Sequence, residues 1–291
     1  MFAIIGIIVV FGAVIGGFLL EHGKLMVLMQ PNELIIIGGA AIGTILVANP
    51  LPVIIKTIKA VLGVLGGSPY TKAYYLESLK MLNDIFQFAR KSGMAKLEED
   101  VENPDKSATF SKYPALLKDH HLLHFVCDTL RMSVSGVVAA HDLDAILEND
   151  IEVHHHEMIT PAKALSTVAD ALPGLGIVAA VLGVVITMGA LNGPPQEIGE
   201  KVGAALVGTF LGILLSYGVV SPLSANIEKI VDAGTQFYQV MRAGLLAFAK
   251  GMAPSIAVEF ARRAIPHEVR PTFKEMEAAC KGGAGAAAKA A

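Results

Sequence analysis

The residues that most invite a chemical reading lie between positions 141 and 157. His154-His155-His156-Glu157, with His141, Asp142 and Asp144 upstream, offers the imidazoles and carboxylates that bind divalent metals. The spacing argues against a site. Successive helical residues point about 100° apart, so three adjacent histidines do not converge on one ion. No CxxC or HExxH spacing supports a ligand set, and neither a GxxxxGK[ST] loop nor a nucleophile motif is present. The expectation is no metal, no cofactor and no catalytic residue: not an enzyme, and not a self-contained ATP-driven pump.

Other informative side chains stand out by what surrounds them. Pro173, Ala180, Thr209, Tyr217 and Pro222 fall in stretches that carry no carboxylate, histidine, lysine or arginine. Four such stretches exist, at 1–20, 34–55, 171–193 and 202–227. Each reaches the ~18 apolar residues that a helix needs to cross a bilayer core. Intramembrane ionisable groups are the usual ion relays. Bare spans therefore imply either that the chain moves no ion or that a partner inserts the missing acid. Pro173 and Pro222 lie near the same ends of their spans, at depths of roughly 5 and 9 Å. Each proline removes one backbone hydrogen bond, so a shared weak layer or hinge at matched depth is expected. Tyr217 reads as a packing residue.

The elements that must hold these residues follow from charge. The chain is 53% hydrophobic and 17% charged, too much charge for a bundle without an aqueous part. The charges gather at 56–170 and 228–291, which hold 12 and 9 of the 23 lysines and arginines. The positive-inside rule puts those blocks and both termini in the cytoplasm. Acids outnumber bases 16 to 12 in the larger block, giving little support to nucleic-acid binding. The first span lacks a basic n-region and a small-residue cleavage site, so it reads as retained. Cys127 and Cys280 fall in the cytoplasmic blocks and read as ordinary thiols.

The expected fold is all-α: a four-span helical membrane protein with a large cytoplasmic helical domain. It divides as 1–55, 56–170, 171–227 and 228–291. Helices are expected over 70–90 with Gly93 as C-cap, over 95–101 and 122–138, and over 143–168 running into the third span. The fourth span is expected to continue through 223–249 without a break, until Pro254 resets the chain. Gly12/Gly16, Gly39/Gly43 and Gly208/Gly212 give small-to-small spacings that favour close helix packing in an oligomer. The Gly/Ala-rich end at 282–291 reads as disordered.

Several runs carry a resemblance. Ala205-Leu-Val-Gly-Thr-Phe-Leu-Gly-Ile-Leu followed by Pro222, and Leu172-Pro-Gly-Leu-Gly-Ile-Val-Ala-Ala-Val-Leu-Gly-Val-Val, are similar to the last two spans of the MotA family of flagellar motor stator proteins. Arg90-Lys-Ser-Gly-Met-Ala-Lys-Leu-Glu-Glu-Asp-Val-Glu-Asn-Pro resembles the family's rotor-facing loop, and Ala253-Pro-Ser-Ile-Ala-Val-Glu-Phe-Ala-Arg-Arg its tail. The likeness covers nearly the whole chain.

The resemblance implies a homo-oligomeric ring in the bacterial inner membrane, commonly five copies around two copies of MotB. That single-span, peptidoglycan-anchored partner contributes the ion-carrying aspartate. The third and fourth spans would line the ring interior, with Pro173 and Pro222 matching the family's prolines beside that aspartate. Arg90 and Glu98 match charges that engage the rotor switch protein FliG. Spacing alone would make them a solvated helix face. In sodium-driven relatives a threonine stands seven residues after the third-span proline, facing another in the fourth span. Here the places hold Ala180 and Thr209, and Ala180 offers no ligand oxygen, which favours protons. Thr209 could instead satisfy its hydroxyl on its own helix. The alternatives are a TolQ/ExbB-type proton-driven energiser of outer-membrane processes, disfavoured by span count, and a self-sufficient secondary transporter, disfavoured by the bare spans.

Overall fold

The structure is a computed structural model that describes residues 2–136, 138–189 and 194–281. Among these residues every regular element is a helix. The Gly/Ala-rich end, Met1 of the first span and residues 190–193 of the third lie outside the described residues.

The chain runs α1 (Phe2–Leu20), a one-turn α2 (Leu25–Leu28), α3 (Pro31–Ala48) and α4 (Leu51–Gly66). It continues through α5 (Lys72–Ser92), α6 (Met94–Glu102), two 3₁₀ turns, a one-turn α7 (Pro114–Leu117) and α8 (His120–Ser135). Then come α9 (Ala140–Met188), α10 (Pro195–Leu215), α11 (Ser221–Ala249), α12 (Pro254–Ala264) and α13 (Phe273–Lys281). Four helical runs are long and apolar enough to cross a membrane: Phe2–Leu20, Leu25–Ala48, Ala140–Met188 and Pro195–Ala249.

Two expected extents are corrected. The second span does not run to residue 55. Asn49 is extended, at φ −136° and ψ 143°, because the ring of Pro50 disfavours helical geometry in the residue before it. Pro50 then caps α4, a separate helix. The fourth helical run begins seven residues before position 202, where Pro195 suits a first turn whose N–H groups have no helical partner. That run does pass from span to charged segment, but not with uniform bonding. A π-helical turn at Ser216–Val220 joins α10 to α11, closed by the Ser221 N–H on the Ser216 carbonyl.

The helices form two compact units. One comprises Met1–Gly67 with Glu157–Val231, the other Ser68–His156 with Asp232–Ala291. In the first, Ile37 and Ala41 of α3 pack with Leu172 and Ala179 of α9, while α1 buries no residue. Apolar side chains therefore cover much of its surface, as a bilayer solvent permits.

The second unit has an aqueous protein's core. Phe237 sits among Tyr70, Tyr74 and Tyr75 at ring distances of 5.6, 5.1 and 5.7 Å, and Phe86 stacks on Phe248 at 4.3 Å. Such rings supply large apolar area per side chain. Thr71 caps α5 by accepting from the Tyr74 N–H, and Asp119 caps α8 by accepting from Leu122. Gly93, at φ 89°, makes the sharp corner between α5 and α6 in a region where only glycine is unstrained.

Candidate functional site

The third and fourth spans meet backbone to backbone. A Cβ added to Gly212 would fall 2.6 Å from the Leu172 carbonyl oxygen, and one on Gly176 would fall 2.8 Å from the Gly208 carbonyl oxygen. One on Gly183 would fall 2.6 Å from the Ala205 methyl. The antiparallel seam between α9 and α10 is thus closed by small residues over several turns, which lipid-exposed helices achieve only where side chains are absent. Of the three expected glycine pairs, Gly208/Gly212 lies in this seam. Gly12, Gly16, Gly39 and Gly43 meet nothing within 4 Å in the single chain.

Pro173 lies inside α9, and its missing N–H leaves the Ala169 carbonyl without a helical donor. The Ser216 hydroxyl fills the gap, donating to Ala169 O at 2.6 Å. Eight residues on, the Ser224 hydroxyl donates to Ala162 O at 2.8 Å. These bonds fix the register, and they separate the two prolines. Pro222, two residues before Ser224, sits about 14 Å along α9 from Pro173. The expected shared layer is therefore absent within the chain: counting from span ends failed because the fourth run extends differently from the third. Pro222 is exposed and lines a cavity of 210 Å³ with Gly6, Val10, Tyr217 and Leu223. Tyr217, expected to pack, is 69% exposed in the single chain.

Ala180 and Thr209 both border the seam, and a Cβ on Gly176 would lie 3.3 Å from the Thr209 Cα. A Cβ on Gly208, the neighbour of Thr209, would lie 3.3 Å from the Ala180 nitrogen. Thr209 is half-buried and, among the described residues, its hydroxyl makes no hydrogen bond, so it is not spent on its own helix. By contrast the Thr187 hydroxyl bonds the Gly183 carbonyl within α9.

The sequence reading missed an acid here. Glu33, one residue before the uncharged stretch at 34–55, is the third residue of α3 and is 7% exposed. Its Oε2 would lie 2.8 Å from a Cβ on Gly208. The spans are therefore not wholly free of carboxyl groups. The overlooked signal was Pro31, a residue suited to a helix start, which places Glu33 inside the helix.

Arg90 and Glu98 lie in the other unit. Both are exposed, Arg90 in the last turn of α5 and Glu98 on α6, on either side of the Gly93 corner. Among the described residues neither enters an ion pair, while nearby Arg131 is engaged with Glu102 at 2.7 Å. The histidines reach different neighbours: His154 lies against His121 and Tyr238, and His155 Nδ1 is 2.8 Å from the Thr235 hydroxyl. No metal-holding group of three donors forms among the described residues. The burial of Cys127 pushes its thiol up to about 12.

Comparison with known proteins completes the picture. Residues 4–93 match the family described as motility protein A N-terminal, and residues 118–239 match the MotA/TolQ/ExbB proton channel family. Motility protein A of Escherichia coli is 42% identical over 277 residues, covering 95% of this chain and 94% of that protein. Two solved structures share the fold at low identity. The C. jejuni MotAB structure aligns with a TM-score of 0.74 at 16% identity, over 93% of this chain and 98% of that one. The flagellar MotAB stator complex from Bacillus subtilis aligns at 0.72 and 24% identity, over 92% and 97%. An N-terminal match specific to motility proteins, four membrane-long helices and a 42% identical full-length relative converge: the chain belongs to the motility protein A family, the stator subunits of the flagellar motor.

Proposed function

We propose that this chain forms a ring around a MotB-type, single-span, peptidoglycan-anchored partner and turns proton flow into torque on the rotor. The two solved structures with this fold are named as complexes of MotA with MotB, which supports the partner and the oligomer. Five copies around two partner chains is the arrangement the family resemblance implies. Both termini and the aqueous unit lie on the cytoplasmic side of the inner membrane, in line with the clustering of lysine and arginine.

The observation that carries the proton reading is the seam at Ala180 and Thr209. A dehydrated sodium ion needs several oxygen ligands, whereas a proton needs one carboxylate. The seam offers the Thr209 hydroxyl but no oxygen from the Ala180 side chain. Pro173 and Pro222 serve as the deformable points of the ion-path helices, at two depths rather than one. Arg90 and Glu98, exposed around the Gly93 corner, present charge to FliG in the rotor.

Swimming speed against external sodium at fixed pH, with and without a protonophore, tests this reading. Speed indifferent to sodium and abolished by the protonophore is expected. A speed that climbs with sodium and survives the protonophore would overturn the ion assignment.

A further inference from the structure

The membrane-spanning unit contains one buried carboxyl whose purpose the stator reading does not explain. Glu33 is 7% exposed, and among the described residues its Oε2 has no hydrogen-bond partner. The side chain is aimed into the notch left by Gly208. A Cβ there would meet Oε2 at 2.8 Å, the Ala179 methyl at 3.1 Å and the Ala180 nitrogen at 3.3 Å. Three helices thus converge on a single point, and the space a methyl group would take at 208 is occupied by a carboxyl from α3. An unpaired carboxylate in such surroundings is expensive, so the group carries a proton unless a cation stands beside it. Among the described residues Glu33 enters no ion pair with a lysine, arginine or histidine.

We propose that Glu33 is a positioning residue for ion transfer: a proton-carrying carboxyl, seated in the Gly208 notch, that sets how α9 and α10 approach at Ala180 and Thr209. The proposal rests on the reading of that helix pair as the ion path. Glu33 acts through the seam and touches no ion itself. The size of the side chain at 33 and the absence of one at 208 are matched, so changing either alone disturbs the crossing. A methyl group at 208 forces the carboxyl out of the notch or the helices apart.

The test uses the assembled complex of this chain with its single-span partner, with unfolding temperature, motor torque and the carboxylic-acid infrared band as readouts. Glu33→Gln keeps the shape and the neutral state, so it retains torque within about twofold while removing one acid band. Gly208→Ala lowers the unfolding temperature and cuts torque about tenfold, and Glu33→Ala in the same chain restores both to within about threefold of the parent for torque. The proposal is overturned if Glu33→Gln loses as much torque as Gly208→Ala, or if its acid band persists. It is also overturned if Glu33→Ala rescues neither readout in a proton-driven motor, an outcome that leaves the ion path intact. Rescue of the unfolding temperature with parental torque in Gly208→Ala would instead show that the seam is not the ion path, and would remove the positioning role with it.

Discussion

The Ser216 hydroxyl donates a 2.6 Å hydrogen bond to the Ala169 carbonyl, the oxygen that Pro173 deprives of its helical N–H. A buried carbonyl left unpaired costs about 1–3 kcal/mol, so this bond lets α9 keep a proline within the apolar unit. Ser216 also begins the π-helical turn that joins α10 to α11. The proline in one helix and the irregular turn in the next are thus two halves of one contact. Ser216→Ala should lower the unfolding free energy of the detergent-solubilised chain by about 1–2 kcal/mol. In a Pro173→Ala background the helix regains its own donor, and the same serine change should cost less than about 0.5 kcal/mol. Equal losses in the two backgrounds, measured by thermal scans, would show that the serine does not serve the proline.

The charges around the Gly93 corner give a second expectation. Arg90→Glu or Glu98→Lys should reduce torque severalfold at high load, since both side chains are exposed and neither is committed to an ion pair among the described residues. Membrane assembly should be unchanged, because neither residue supports the core. A compensating charge reversal in the rotor switch protein should recover part of the lost torque. Normal swimming at high load by both single variants would rule out this contact.

Acid sensitivity of the aqueous unit should centre on Glu259. The Arg262 guanidinium donates to both its oxygens at 2.7 Å and Arg263 adds a third bond at 2.8 Å, holding the carboxyl down at about 2 from an ordinary 4.5. A depressed carboxyl contributes stability that is fully present above pH 4.5 and lost as pH falls through 2. The pair is largely shielded from solvent, so the contribution is roughly 2–3 kcal/mol. Thermal scans between pH 5 and pH 2 should show Glu259→Gln less stable than the parent at the upper end, with the difference closing at the lower. A constant gap across the range would assign the loss to packing instead.

Proton conduction by this chain alone should be absent. Among the described residues, Glu33 is the buried carboxyl of the membrane-spanning unit, and its Oε2 is walled in against Gly208 with no hydrogen-bond partner to pass a proton to. Liposomes containing the purified chain and a pH-sensitive dye provide the measurement. Flux above protein-free vesicles would mean that the chain holds a complete path by itself.

Much of the fold was legible because hydropathy and charge act over long windows. Twenty uncharged residues at the start and the charged block after residue 55 each leave one physical option, lipid or water. The α5–α6 corner was legible too, since a glycine after an amphipathic run marks a cap. What escaped was register. The offset of Pro173 from Pro222 depends on which residues of two antiparallel helices touch, and the Ser216 and Ser224 hydroxyls that set it look like any other span serines. Glu33 escaped for a simpler reason. A count of uncharged residues ends at the first acid, whereas the helix and its burial continue past it. Asn49-Pro50 shows the reverse error, an apolar run read across a break that the backbone does make.

The small-residue seam between α9 and α10 has a bearing on how such a motor can diversify. At Gly176, Gly183 and Gly212 an added carbon would fall 2.6–2.8 Å from a carbonyl oxygen or a methyl group, so these positions admit no stepwise trial of new side chains. Ala180 and Thr209 stand beside the seam, half-buried rather than wedged within it. Changes in ionic preference are therefore channelled to the flanks, while the seam itself can alter only through coordinated pairs of substitutions. A library that randomises both groups of positions should return survivors dispersed in side-chain size at 180 and 209 and almost invariant at the three glycines.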